Sequence, residues 1–144
     1  SRGLGDVYKR QAFMLGAQAV QIGTRFIVAK ECNVHQAYKD RVIQARDIDS
    51  EVTGRSTGHP VRSLRNQMTR KYQALEKEGA GFEELELLTL GALRKAVVDG
   101  DVKNGTVMAG QIAGLIKKEQ TCSEIIKELM DGMSNVIEHV RGEI

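Results

Sequence analysis

Ala19-Val20-Gln21-Ile22-Gly23-Thr24-Arg25-Phe26 is the stretch on which the fold class turns. Its first five residues form a short apolar run ending in glycine, the pattern of a strand buried on both faces. Thr24 can cap a helix that continues through Arg25 to about Lys30. Strand, tight glycine turn and helix start make an α/β unit. In α/β barrels phosphate groups sit at such junctions, after the last two strands. Free N–H groups point outward there and the helix dipole favours an anion. Gly23 lets backbone approach a phosphate closely, and Thr24 adds a hydroxyl donor. The plainer alternative is an ordinary strand-to-helix turn, which Gly-Thr also makes.

Downstream, Gln36 to Arg46 places Ala37, Tyr38, Val42 and Ala45 at helical spacing. Asp47 to Thr53 alternates polar and apolar residues, as a half-exposed strand does. Gly54 to Pro60 is a loop, followed by Val61 to Asn66. A charged helix runs from about Met68 to the Gly79-Ala80-Gly81 break. Phe82 to Val98 is expected as one helix presenting Leu85, Leu88, Leu93 and Val97. After a turn at Gly100 to Gly105, Thr106 to Lys117 is expected to be helical. Thr121 to Glu124 fits the T-x-x-E capping box. The apolar stripe behind it, from Ile125 to Val140, reads as core packing. One buried strand and about five helices do not close a core, which points to a piece of a larger α/β protein.

Upstream, Ser1 to Gln11 reads SRGLGDVYKRQ, and all eleven codons can be written in the transposon-end adapter of sequencing libraries. The segment is expected to contribute nothing to the fold, with the gene continuing upstream of Ala12. The chain has 21 Lys+Arg against 19 Asp+Glu, and the segment carries Arg2, Lys9 and Arg10 against Asp6. Without it the two signs balance, so the basic excess expected of a nucleic-acid binder is missing. No apolar run nears the ~18 residues of a membrane span. Two cysteines, Cys32 and Cys122, are too few for a disulfide framework, so a reducing cytoplasm is the expectation. No metal-ligand spacing is present.

Two further motifs can carry chemistry. In Thr57-Gly58-His59-Pro60-Val61-Arg62-Ser63-Leu64-Arg65-Asn66, the side chains of His59, Arg62 and Arg65 suit an anionic or carbonyl substrate. The plainer alternative is a loop whose arginines cap neighbouring helices. In Met108-Ala109-Gly110-Gln111-Ile112-Ala113-Gly114, Gly110 and Gly114 would share a helix face, suiting close approach of a ligand or another backbone. No catalytic triad or paired carboxylates stand out, and no residue of this chain is assigned a catalytic role.

Three stretches in this order resemble a known family: AFMLGAQAVQIGTRFIVAKE, ARDIDSEVTGRSTGHPVRSLRNQ and GALRKAVVDGDVKNGTVMAGQIAGLIKKE. They are similar to the C-terminal half of the flavin-dependent enoyl-acyl-carrier-protein reductases, which belong with the nitronate monooxygenases. TGHPVRSLRN together with DGDV and TVMAGQ favours the reductase branch. The resemblance implies the end of a TIM (β/α)8 barrel at residues 12–31, a mostly helical substrate-side region at 32–105, and C-terminal helices returning to the barrel at 106–144. It implies FMN as cofactor, with Gln21, Gly23 and Thr24 at its phosphate, and NADH or NADPH as hydride donor. Acyl carrier protein would be the partner; the oligomeric state, a homodimer or otherwise, is left open by the sequence. The family's N-terminal half, with most FMN contacts and its catalytic histidine, lies outside the match. Two other readings remain: a nitronate monooxygenase-like flavoenzyme, and a non-enzymatic helical interaction module.

Overall fold

The computed structural model describes residues 18–19 and 21–142. The adapter-like segment, the helix expected at Ala12 to Ala17, and Val20 lie outside the described residues. A short helix α1 (Thr24–Ile27) is followed by α2 (Gln36–Ile43). Strands β1 (Ser50–Thr53) and β2 (Val61–Leu64) form an antiparallel pair, with Glu51 opposite Ser63 and Thr53 opposite Val61. Then come α3 (Gln67–Glu78), α4 (Phe82–Thr89) and α5 (Ala92–Val97). A 3-10 segment (Gln111–Leu115) and the long α6 (Cys122–Gly142) complete the order.

Local sequence explains the starts of α2, α3 and α6. His35 caps α2: its Nδ1 accepts from the Ala37 N–H at 3.1 Å. Asn66 and Thr69 cap α3 reciprocally, each side-chain oxygen accepting the other's N–H at 3.0 Å. The Thr121–Glu124 box forms as the sequence predicts, with the Thr121 N–H donating to Glu124 Oε2 at 2.7 Å and the Glu124 N–H to Thr121 Oγ1 at 3.2 Å.

Four expectations change. Gln21 to Gly23 are not in a strand, and neither is Ala19: no neighbouring strand among the described residues pairs with them. Phe82 to Val98 is two helices, broken at Gly91, whose φ of 72° no helix accommodates. Thr106 to Lys117 is not an α-helix. The Leu64 N–H donates to Val107 O at 2.8 Å and the Ala109 N–H to Arg62 O at 3.3 Å, so Val107 to Ala109 lie along the edge of β2 before the 3-10 turn. The stripe on α6 packs only in part, since Ile125 is buried while Ile126 and Met130 are half exposed.

Two clusters bury the apolar residues. Val28, Tyr38, Val42, Leu64 and Val107 anchor the larger, joining α2 to one face of the sheet edge. Met68, Tyr72 and Leu85 form the smaller, between α3 and α4. A buried ammonium ties α2 to the approach of α6: Lys39 Nζ donates to Ala29 O at 2.7 Å and pairs with Glu119 at 3.0 Å. Hydrogen bonds from Lys39 and Gln36 hold the Glu119 carboxyl below its usual range, and those from Thr121 do the same for Glu124. A depressed folded-state pKa adds stability that is complete above the unfolded value, about 4.3 for Glu. That stability is lost as pH falls through the folded value. Thermal melts should therefore weaken progressively below about pH 4.3. Glu119→Gln should be less stable than wild type at pH 7 and show a shallower acid decline. A decline as steep as wild type's would remove Glu119 from that account.

Candidate functional site

The three motifs singled out in the sequence converge on the segment Thr106 to Gly110. Thr24, the first residue of α1, is buried, and its Oγ1 accepts the Gly110 N–H at 2.9 Å. The helix cap itself is Gly23, not Thr24, and no side chain caps α1. The opposite side of the segment rests on β2, the strand of the His-Pro-Val-Arg motif. Tyr38 Oη donates to Met108 O at 2.7 Å, and burial pushes this phenol up to about 12. Asn66 fixes the approach: its Nδ2 donates to Gly105 O at 2.7 Å and Val102 O at 2.9 Å. Asp101 closes the preceding turn by accepting from the Lys103 and Asn104 N–H groups.

The glycines differ in purpose. A Cβ added at Gly23 would meet nothing within 4 Å among the described residues, which leave that side of the turn open. At Gly114 it would lie 2.3 Å from Asp47 Oδ1 and 2.6 Å from Asp47 N. Gly114 is therefore used for tight packing against the Asp47 turn, not for a ligand. Gln21 is exposed beside Gly23.

A cleft of about 450 Å³ opens between the sheet, α3, α4 and α5. Met68, Tyr72 and Leu85 are its buried floor, and Phe82, Leu93 and Met108 are partly exposed at its edge. His59 lines it, with its ring centroid 6.0 Å from that of Phe82. Arg62 and Arg65 do not line it. Arg62 Nη1 donates to Ser50 Oγ at 3.1 Å, and Arg65 Nε pairs with Glu51 at 2.9 Å, so both serve β1. The structure brings His59 to the cleft and leaves the two arginines outside it. Met68 and Tyr72, four apart on α3, and Leu85 on α4 were readable as apolar helix faces. That they face one another across Gly79 to Gly81 was not. Among the described residues no cluster of His, Cys, Asp and Glu is placed to hold a metal ion. Nor is any described helix long and apolar enough to cross a membrane.

A sequence model of nitronate monooxygenase matches residues 5–132. The chain belongs to the nitronate monooxygenase family. The match to the family begins within the adapter-like segment and covers all the elements described above except the end of α6. A solved structure of FabK from Thermotoga maritima superposes with a TM-score of 0.89 at 40% identity, covering 99% of this chain and 44% of that one. A probable nitronate monooxygenase of Bacillus subtilis (strain 168) is 25% identical over 83% of this chain and 35% of its own length. A third family relative, from Mycobacterium tuberculosis (strain ATCC 25618 / H37Rv), is (3aS,4S,5R,7aS)-5-hydroxy-7a-methyl-1-oxo-octahydro-1H-indene-4-carboxyl-CoA dehydrogenase, 24% identical over 83% of this chain and 44% of its own. The chain thus spans less than half the length of each of these proteins.

Proposed function

We propose that this chain is the cofactor-phosphate and substrate-side part of an FMN-dependent enoyl-acyl-carrier-protein reductase of the FabK kind. The observation that carries this reading is the 40% identity to FabK across nearly the whole chain, with the fold preserved. FabK is an FMN-dependent enoyl-acyl-carrier-protein reductase within the same superfamily. The Mycobacterium relative, whose name states an acyl-CoA substrate, adds an enzyme of the family working on a thioester.

The residues at the α1 corner suit the phosphate of FMN. The leading N–H groups of a helix have no partners within it, and the open side of Gly23 leaves room to reach them. The Thr24 oxygen already accepts from Gly110, so its proton is the part of the hydroxyl left to donate. Bound there, FMN would supply hydride-transfer chemistry between a nicotinamide donor, NADH or NADPH, and the β-carbon of the enoyl thioester. The chain's own part is positioning. Thr24 couples the phosphate corner to Gly110, and Tyr38 fixes the Met108 carbonyl two residues earlier. The cleft beside Met108 then excludes water from an apolar substrate. Acyl carrier protein is the proposed macromolecular partner.

The second reading follows the curated relatives named as nitronate monooxygenases, such as that of Bacillus subtilis. One experiment separates the two. The full-length enzyme, loaded with FMN, is given NADH or NADPH with crotonyl-acyl carrier protein, and separately a nitronate with dioxygen. Oxidation of the nicotinamide that depends on the enoyl substrate is expected. Oxygen uptake with the nitronate, and no enoyl-dependent oxidation, would transfer the protein to the monooxygenase branch.

A further inference from the structure

We infer that the cleft between the β1–β2 sheet, α3, α4 and α5 is the pocket for the acyl chain of the substrate, and that Thr89 and Leu93 limit the chain length it admits. The inference rests on the reductase reading above and specifies what that reading leaves open. The volume, about 450 Å³, lies within the range of small-molecule sites. The floor of Met68, Tyr72 and Leu85 offers no charged group. An unbranched hydrocarbon gains by burial there with each added CH₂.

Of the polar groups, His59 and Glu86 are exposed at the rim, whereas Thr53 and Thr106 are buried in the lining. Thr53, Thr57, Thr106, His59 and the exposed Glu86 line the cleft with the apolar residues. The Glu86 carboxylate disfavours a free fatty acid and leaves a neutral thioester admissible. One end is fixed by Met108, separated from Gly110 by two residues of extended chain, about 7 Å. The Gly110 N–H in turn is held by Thr24 at the phosphate corner. The reacting end of the substrate therefore belongs at Met108 and Thr106, and the hydrocarbon tail runs along α4 and α5 past Thr89 and Leu93.

Both length-limiting residues tolerate enlargement. Leu93 is 41% exposed. The Thr89 hydroxyl donates to its own helix, to Glu86 O at 3.0 Å, so its removal orphans no distant group. The test uses the full-length FMN-loaded enzyme carrying Leu93→Trp or Thr89→Trp. Rates are compared for 4-carbon and 12-carbon trans-2-enoyl thioesters on the same carrier. Each variant should lose at least tenfold in kcat/KM for the 12-carbon substrate and change less than twofold for the 4-carbon one. Equal losses at both lengths, or none at either, overturn the assignment. If the wild-type enzyme reduces neither substrate, the reductase reading fails, and calorimetric binding of saturated 4- and 12-carbon acyl thioesters decides the pocket separately. Tighter binding of the longer chain, abolished by Leu93→Trp, supports it. Absence of length-dependent binding to the wild type overturns it.

Discussion

Gly23→Val in the full-length protein should lower FMN affinity by an order of magnitude or more while leaving the fold intact. The two halves of that expectation have separate causes. A Cβ at position 23 meets nothing within 4 Å among the described residues, and the backbone there has a φ of −101°, open to any residue. Folding therefore has no reason to object. In the proposed reading the same side is the route by which a phosphate would reach the N–H groups leading α1, and an isopropyl group would fill it. Loss of about 1.4 kcal/mol already weakens binding tenfold. Thr24→Ala should cost less in affinity, because a neutral hydrogen bond contributes about 0.5–1.5 kcal/mol net. It should also destabilise the protein slightly, since the Gly110 N–H loses its acceptor. Apo-protein titrated with FMN and followed by flavin fluorescence reads both variants. Wild-type affinity in a folded Gly23→Val protein would place the phosphate elsewhere and remove the corner from the site.

What the sequence made legible was local. The α3 and α6 caps depend on residues three apart, so pattern alone finds a box such as Thr121 to Glu124. The helix at Gln36 was legible because Tyr38 and Val42 fall on one face and both reach the core. The segment Thr106 to Lys117 misled for a physical reason. Its apolar residues suit a helix, but the edge of β2 presents N–H and C=O groups that Val107 and Ala109 satisfy, and this edge exists only once the chain has folded. Gly105 reinforces the outcome: a Cβ there would press within 2.6 Å of Ala96 N and Asp101 O, so the turn is packed before the segment begins. The site divided in the same way. Gly23 and Thr24 were visible as a turn-and-helix motif, whereas the role of Thr24 in holding Gly110, 86 positions away, was not. His59, Arg62 and Arg65 looked equivalent as polar side chains in one loop. Strand pairing separates them, committing Arg62 to Ser50 and Arg65 to Glu51 while His59 stays at the cleft.

The loop that carries His59 yields the sharpest stability prediction, because two of its glycines form a matched pair. Gly54 and Gly58 both have φ of 76°, a conformation that costs a non-glycine residue roughly 1–2 kcal/mol. Their surroundings differ. Among the described residues a Cβ at Gly58 would meet nothing within 4 Å, whereas one at Gly54 would lie 2.4 Å from the His59 carbonyl oxygen and 3.4 Å from Tyr72 Oη. The first contact is to backbone, so no rotamer change relieves it. The loop cannot simply swing away, because Gly54 O accepts both the His59 N–H at 3.1 Å and the Thr57 hydroxyl at 3.0 Å. Gly58→Ala should therefore cost strain alone, and Gly54→Ala strain plus overpacking of about 1–3 kcal/mol. Thermal melts of the full-length protein should rank wild type, Gly58→Ala and Gly54→Ala in falling order, with the last separated by several degrees. Gly54 lines the cleft and Gly58 does not, so the same ranking is expected in kcat/KM for long-chain enoyl thioesters. If Gly54→Ala proves no less stable than Gly58→Ala, the closed form of this loop is wrong, and with it the position of His59 at the rim of the cleft.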